Sequence, residues 1–244
     1  MSIDSELTAK IEPFDSFWEG PEDVEKGYTS FYKFYKDNYV KFLPKDTQAN
    51  ILVVSCGPGY FVNMLSTHGY HNVLGIDSDA GKVKFAQEKN LNCEVARVFT
   101  FLEGKKNLYD LIFCEQELNH LTKEEIIQFL FLCQEALTPG GTLIVHGLNG
   151  ANPITGAEAL AQNFDHYNTF TEYTMRQILQ YCGFGDTKVI PLNLYVFYTN
   201  PLNYLLMLLD RLYNAFFTFS FMLYGKSNRL WSKKIAGISR KYVE

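Results

Sequence analysis

Two glycines and one carboxylate are the residues whose types and spacing most directly imply a ligand. The run Ile51-Leu-Val-Val-Ser-Cys-Gly-Pro-Gly-Tyr-Phe61 takes four apolar residues into a Gly57-Pro58-Gly59 turn and on into an amphipathic helix. Glycines at such a turn let the backbone approach a ligand closely, and the unpaired N–H groups opening the next helix favour an anionic group. The spacing excludes the two commonest phosphate loops. A G-x-G-x-x-G fingerprint would need its last glycine where Val62 stands, and no G-x-x-x-x-G-K-[ST] is present. The next apolar run, Asn72-Val-Leu-Gly-Ile-Asp77, ends in an acid 20 residues beyond Gly57. At that separation a second parallel strand sets a carboxylate against a ribose diol. The pair therefore reads as a nucleoside site without a pyrophosphate.

The elements that must position these residues alternate strand and helix, the pattern of a parallel sheet wrapped by helices. Strands are expected near 50–54, 72–76, 92–96, 109–114 and 141–147, and helices near 60–68, 79–89, 122–137 and 171–182. Asp79 is placed to cap the second helix, and Thr122 with Glu125 forms a capping box for the third. Ahead of the sheet, residues 1–27 are acidic with scattered aromatics. Residues 28–43 then read as an amphipathic helix with Phe31, Phe34, Tyr35, Asn38 and Phe42 at three-and-four spacing, stopped by Pro44. Ligands in open α/β sheets sit beyond the carboxyl ends of the strands. The rim to inspect is therefore Ser55 to Tyr60, Asp77, Arg97, Glu115 to His120, and His146 to Asn152.

These residues resemble a family, the class I S-adenosylmethionine-dependent methyltransferases. Ser55-x-Gly57-x-Gly59 is similar to their glycine motif and Asp77 to their ribose acid. Tyr109-Asp-Leu-Ile-Phe-Cys-Glu-Gln-Glu-Leu-Asn-His-Leu121 resembles their fourth strand, and Leu137-Thr-Pro-Gly-Gly-Thr-Leu-Ile-Val145 their helix end, turn and fifth strand. The resemblance implies an α/β fold: a Rossmann-like, seven-stranded, mostly parallel sheet with helices on both faces. An N-terminal helical segment or lid (1–48) precedes it, and a helical tail (201–244) follows the binding domain (49–200). The closing hairpin is expected at Asp186 to Ile190 and Leu194 to Tyr198. The N-terminal helix is expected either as an aromatic lid over the cofactor or as core against the sheet.

S-adenosylmethionine is the implied cofactor, held by Ser55, Cys56, Gly57, Pro58, Gly59, Asp77, Ser78, Arg97, Glu115 and Gln116. Three positions depart from the family pattern. Val53 stands where an acid helps hold the methionine end, Ser55 replaces a glycine, and Arg97 stands where an Asp accepts from the adenine amino group. Glu115 or Gln116 is the substitute for the missing acid. The stretch Asn152-Pro…His166-Tyr-Asn-Thr-Phe-Thr171…Gly-Phe184 further resembles methyltransferases of bacterial surface-polysaccharide gene clusters, with Asn163 where an Asp is usual.

Methyl transfer from a sulfonium is an in-line displacement, so the protein must hold an acceptor atom against the methyl group. A sugar hydroxyl also needs a general base, and His166, His120 and Glu115 lie on the correct rim. For each histidine a structural reading stands beside the catalytic one: His166 as a loop-fixing hydrogen bonder, His120 as a residue of a helix entry. No metal is required. The acceptor implied is a sugar or a small-molecule or lipid-linked glycan intermediate. The rivals are a membrane-borne quinone precursor as acceptor, and a non-catalytic interaction module motivated by Val53, Ser55 and Arg97.

Composition bounds the rest. The 244 residues carry a net charge of −5 and a pI near 5.6, against the basic surface of a nucleic-acid-binding protein. Five cysteines without a C-x-x-C pair read as buried free thiols in a reducing compartment, and the N-terminus lacks the pattern of a signal peptide, so a cytoplasmic location is expected. Residues 202–224 are mostly Leu, Met, Phe and Tyr, with Asn203, Asp210, Asn214 and Thr218 in one narrow stripe. Beyond Gly225 come Lys226, Arg229, Lys233, Lys234, Arg240 and Lys241 against the single acid Glu244. An apolar helix followed by cations suits either an anionic membrane surface, on the inner face of the cytoplasmic membrane, or packing on a second subunit as in a homodimer or on its own domain.

Overall fold

A computed structural model describes residues 21–114, 117–161, 166–193 and 201–242. Helix α1 (Pro21–Tyr39) is followed by β1 (Ile51–Val54), α2 (Tyr60–Thr67), β2 (Val73–Asp77), α3 (Ala80–Glu88), β3 (Cys93–Val95), α4 (Val98–Leu102) and β4 (Tyr109–Cys114). The second half runs α5 (Lys123–Ala136), β5 (Leu137–Leu148), α6 (Glu158–Ala161), α7 (Glu172–Tyr181), β6 (Phe184–Pro191), α8 (Leu202–Leu223) and β7 (Lys234–Lys241). The sheet order is β3-β2-β1-β4-β5-β7-β6. The first five strands are mutually parallel, and β7 runs antiparallel to both β5 and β6.

Strand β1 shows why the sheet is wrapped on both faces. Its four residues are all buried, and they divide by parity. Ile51 and Val53 enter one core with Phe61, Met64 and Phe113, while Leu52 and Val54 enter the other with Phe129, Leu130 and Leu143. A strand apolar on both sides is what helices on both sides require. Chain order reverses at β1, with β2 and β3 on one side and β4 and β5 on the other. The crevice beyond the carboxyl ends of β1 and β4 is thus the switch point where such folds bind ligands.

Helix α1 starts at Pro21, ahead of the expected residue 28, and Val40–Phe42 form one 3-10 turn before Pro44. Its two halves do different things. Phe34, Tyr35 and Tyr39 are buried against Phe61 and Phe113, whose rings stack at 3.7 Å. Asn38, polar on an apolar stripe, is buried because its amide donates to Asn193 O (3.3 Å) and its oxygen accepts from Asn193 N (3.0 Å), tying α1 to the end of β6. The N-terminal half instead crosses the glycine turn. The C-terminal half of the helix is thus core against the sheet, and the N-terminal half rests on the glycine turn through Tyr28. The expected caps are present: Asp79 accepts from Gly81 N and Lys82 N, and Thr122 and Glu125 complete their box.

The seventh strand departs from the expectation. Residues 194–198 lie outside the described residues, and the strand that pairs with both β5 and β6 is Lys234–Lys241. Residues 201–242 are therefore not a helical tail beyond the sheet. Helix α8 connects two sheet elements, and the basic end is one of them. The physical reason is the centre of that segment: Ile235, Ala236, Ile238 and Ser239 are buried between two neighbours, while the cations sit at its ends. Lys241 is used internally, donating to Asn107 Oδ1 (2.9 Å) and Leu137 O (2.8 Å).

Candidate functional site

The turn after β1 is built on left-handed backbone. Ser55, Gly57 and Gly59 have φ of 53°, 51° and 81°. Gly57 and Gly59 adopt this without cost; Ser55, at the first glycine position of the motif, bears the cost of a Cβ there. A Cβ on Gly57 would meet nothing within 4 Å, so the turn faces open space above it, whereas one on Gly59 would lie 2.9 Å from Leu91 and 3.0 Å from Ala86. One glycine leaves room for a ligand and the other lets α2 pack on α3.

Asp77 organises this turn. Its Oδ2 accepts from Gly57 N (2.9 Å) and its Oδ1 from Asp79 N (2.9 Å), so one carboxylate joins the glycine turn to the β2–α3 turn over exposed Ser78. A carboxylate has about four lone-pair sites. Two are used here, and the half-buried side chain retains acceptor capacity toward a diol. Pro58 is held from above: Tyr28 of α1 donates to its carbonyl (2.6 Å), and the Tyr28 ring meets Tyr60 edge-on at 4.9 Å. Burial pushes the Tyr60 phenol up to about 12 and raises Tyr28 as well, so both stay neutral donors. Cys56 and Cys93 lie beneath the turn, and a Cβ on Gly75 would come within 2.9 Å of both sulfurs. All five cysteines are buried and free, as expected.

Two other predicted site residues are brought together. His120 and His166 stand edge-to-face with ring centroids 4.9 Å apart. His166 Nδ1 lies 2.7 Å from Ala159 O. A carbonyl only accepts, so Nδ1 carries the proton and the lone pair of the neutral ring is on Nε2. The two segments are laced to each other: Asn119 O accepts from Tyr167 N (2.9 Å), and Asn168 Nδ2 donates to Leu121 O (2.5 Å). Phe170 N donates to Leu148 O (2.9 Å), fixing the second segment on the end of β5. Asn119 falls within the rim expected from the sequence, whereas nothing in the run His166-Tyr-Asn-Thr-Phe-Thr171 singles out Asn168.

Other residues fall elsewhere. Arg97 is exposed at the start of α4 and makes no side-chain cap bond. Val53 is buried in the core cluster that holds Phe61, Phe113 and Tyr35. Glu115 and Gln116, the expected substitutes, lie outside the described residues. His146 is fully buried and bonded to Tyr39 Oη (2.5 Å), and burial with the charge of Lys234 holds its imidazole well below the usual histidine range.

Residues 51–141 match the family model described as a methyltransferase domain. Over those residues, a little more than a third of the chain, the sequence is similar to a methyltransferase domain. An S-adenosylmethionine-dependent methyltransferase from Archaeoglobus fulgidus aligns over 93% of this chain and 98% of its own, with a TM-score of 0.63 at 16% identity. One from Thermotoga maritima aligns over 90% and 93%, with a TM-score of 0.62 at 12% identity. Phosphoethanolamine N-methyltransferase 2 of Haemonchus contortus, solved with S-adenosylmethionine, aligns over 91% of this chain at TM-score 0.60 and 15% identity, and this chain spans 57% of it. At such identities the likeness shows the fold. No curated protein matches the sequence.

The residues present fit the nucleoside half of S-adenosylmethionine. The open face of Gly57 admits a ligand to the backbone, and Asp77 offers acceptors to a ribose diol 20 residues downstream in sequence and one hydrogen bond away in space. Among the described residues no group of three or more His, Cys, Asp and Glu is arranged to hold a metal ion.

Proposed function

We propose that the protein is an S-adenosylmethionine-dependent O-methyltransferase acting on a hydroxyl of a sugar or glycan intermediate of a bacterial surface polysaccharide. The observation that carries the reading is the histidine pair. His166 is held on Ala159 O in the tautomer that leaves Nε2 basic, beside His120, on the same rim as the glycine turn. When bound, the cofactor supplies an electrophilic methyl group. Gly57 and Gly59 admit its nucleoside, and Asp77 accepts from the ribose hydroxyls while keeping the turn in shape. His166 Nε2 takes the proton of the acceptor hydroxyl, and His120 stands edge-to-face with that ring.

The fold leaves the acceptor open, since its solved neighbours include a phosphoethanolamine N-methyltransferase and a carbon methyltransferase. Support for a glycan comes from the stretch Asn152 to Phe184, whose resemblance to polysaccharide-cluster enzymes covers the segment that carries His166. A phenolic quinone precursor is the second reading, favoured by the apolar helix hung from the same rim. The deciding experiment is S-adenosylhomocysteine release with parallel panels of free sugars, lipid-linked glycans and polyprenyl phenols. Turnover on phenols alone returns the function to the second reading.

A further inference from the structure

Helix α8 is turned inside out. Its polar stripe faces the protein: Asn203 is buried, Asp210 and Asn214 are half-buried, and Thr218 Oγ1 accepts from the indole of Trp231 (2.8 Å). Phe221 and Phe217 close over the same Trp231 ring, at 4.3 and 6.0 Å. The opposite face is apolar and exposed, with Leu212, Phe216, Phe219 and Leu223 at 59%, 61%, 57% and 69%. At 100° per residue the exposed apolar positions span about 200° of the helix, centred on Leu205 and Leu223. No charged residue falls inside that arc, and Arg211 stands at its margin.

We infer that this face is inserted into the surface of a lipid bilayer, with the helix lying in the membrane plane. Three features select lipid over a second copy of the chain. First, a partner helix covers a stripe of about 100° or less and would leave half of this arc in water, whereas acyl chains surround all of it. Second, Leu and Phe fill the middle of the arc, while Tyr204 with Met222 stands at one edge and Tyr213 and Tyr224 with Leu206 at the other. That is the order of an apolar interior and a headgroup level, where tyrosine is enriched. Third, sinking such a face takes an insertion of about 5–10 Å, close to half the ~10–12 Å diameter of a helix with its side chains. No described helix is long and apolar enough to cross a membrane, which agrees with an in-plane orientation.

The cations play a small part. Lys226 and Arg229 are exposed just past the helix, but Lys234 and Lys241 belong to β7, and Lys241 is bonded to Asn107 and Leu137 at the far end of that strand. The apolar face, not charge, is the anchor. It is also tied to the catalytic rim. Asn149 Nδ2 donates to Leu230 O and Ser232 O (both 2.9 Å), and Asn152 Nδ2 to Trp231 O (2.5 Å), directly after β5. Where the proposed methyl transfer holds, this sets the rim at the surface that presents a lipid-linked acceptor.

The experiment is sedimentation of the full chain with phosphatidylcholine vesicles at low and high salt, beside the double variant Leu212→Glu/Phe216→Glu. Both side chains are exposed, so the variant's thermal midpoint and its calorimetric response to S-adenosylmethionine should equal the parent's, which keeps this test separate from the catalytic one. The expected result is that the parent pellets with neutral vesicles at both salts and that the variant's partition falls by about tenfold or more. The inference is overturned if the parent stays in the supernatant, whether as a monomer or as a dimer that the variant dissociates. It is equally overturned if the parent pellets only with anionic vesicles and salt releases it.

Discussion

His166 separates a catalytic role from a structural one through two substitutions. His166→Ala removes both ring nitrogens. His166→Asn keeps an N–H that can reach Ala159 O from nearly the position of Nδ1, now 2.7 Å away, and removes the base at Nε2. If the ring only fixes its loop, alanine loses one hydrogen bond worth about 1 kcal/mol, at most about a fivefold loss of turnover, and asparagine loses almost nothing. If the ring is the base, both variants lose about 10²-fold or more, or about 2.7 kcal/mol. The assay is S-adenosylhomocysteine formation at saturating acceptor, with cofactor affinity measured in parallel and expected to stay within about twofold of the parent, because the cofactor residues lie on other strands. Parental turnover in the asparagine variant would refute the base assignment and leave His166 as a loop support.

Two further substitutions test the surroundings. Placing an acid at this position with Val53→Asp should destabilise the fold by at least about 3 kcal/mol in urea unfolding, since Val53 is 1% exposed in a cluster of aromatic and aliphatic side chains; a stable variant with tighter cofactor binding would mean that the pocket opens at Val53. His146 should make stability depend on pH. Its folded pKa is depressed by burial and by Lys234, so the unfolded chain binds the extra proton below about pH 6.5. The contribution is complete above that pH and is lost, by about 1.4 kcal/mol per unit, as pH falls toward the folded value. His146→Gln should flatten that slope; an unchanged slope would assign it to other groups.

Much of the site was legible because its chemistry lies in short runs. Gly57, Gly59 and Asp77 are separated by strand, turn and helix lengths that local rules fix, and both helix caps follow from four-residue patterns. His120 and His166 were legible as rim residues but not as neighbours. Their approach depends on Asn119 and Asn168 bonding backbone across two loops, and such bonds leave no periodic trace. The seventh strand was hidden for a related reason. Its charged ends, Lys233-Lys234 and Arg240-Lys241, dominate a short apolar centre, and its partners β5 and β6 are strands far away in sequence. Helix α8 shows the converse. Its polar stripe was plain in the sequence, but which side faced inward is set by Trp231 and Asn203, whose packing no local pattern encodes.

The central claim is that the Gly57 turn and Asp77 receive the nucleoside of S-adenosylmethionine, and calorimetric titration of the full chain tests it most directly. The account predicts saturable heat with S-adenosylmethionine and S-adenosylhomocysteine, none comparable with NAD or ATP, and a loss of about 1.5 to 3 kcal/mol in Asp77→Ala, about 10- to 150-fold in Kd. Part of that loss should come with a lower thermal midpoint, because Gly57 N and Asp79 N lose their acceptor. A parent chain that gives no heat with millimolar S-adenosylmethionine, or an Asp77→Ala chain that binds it as tightly as the parent, would contradict the account.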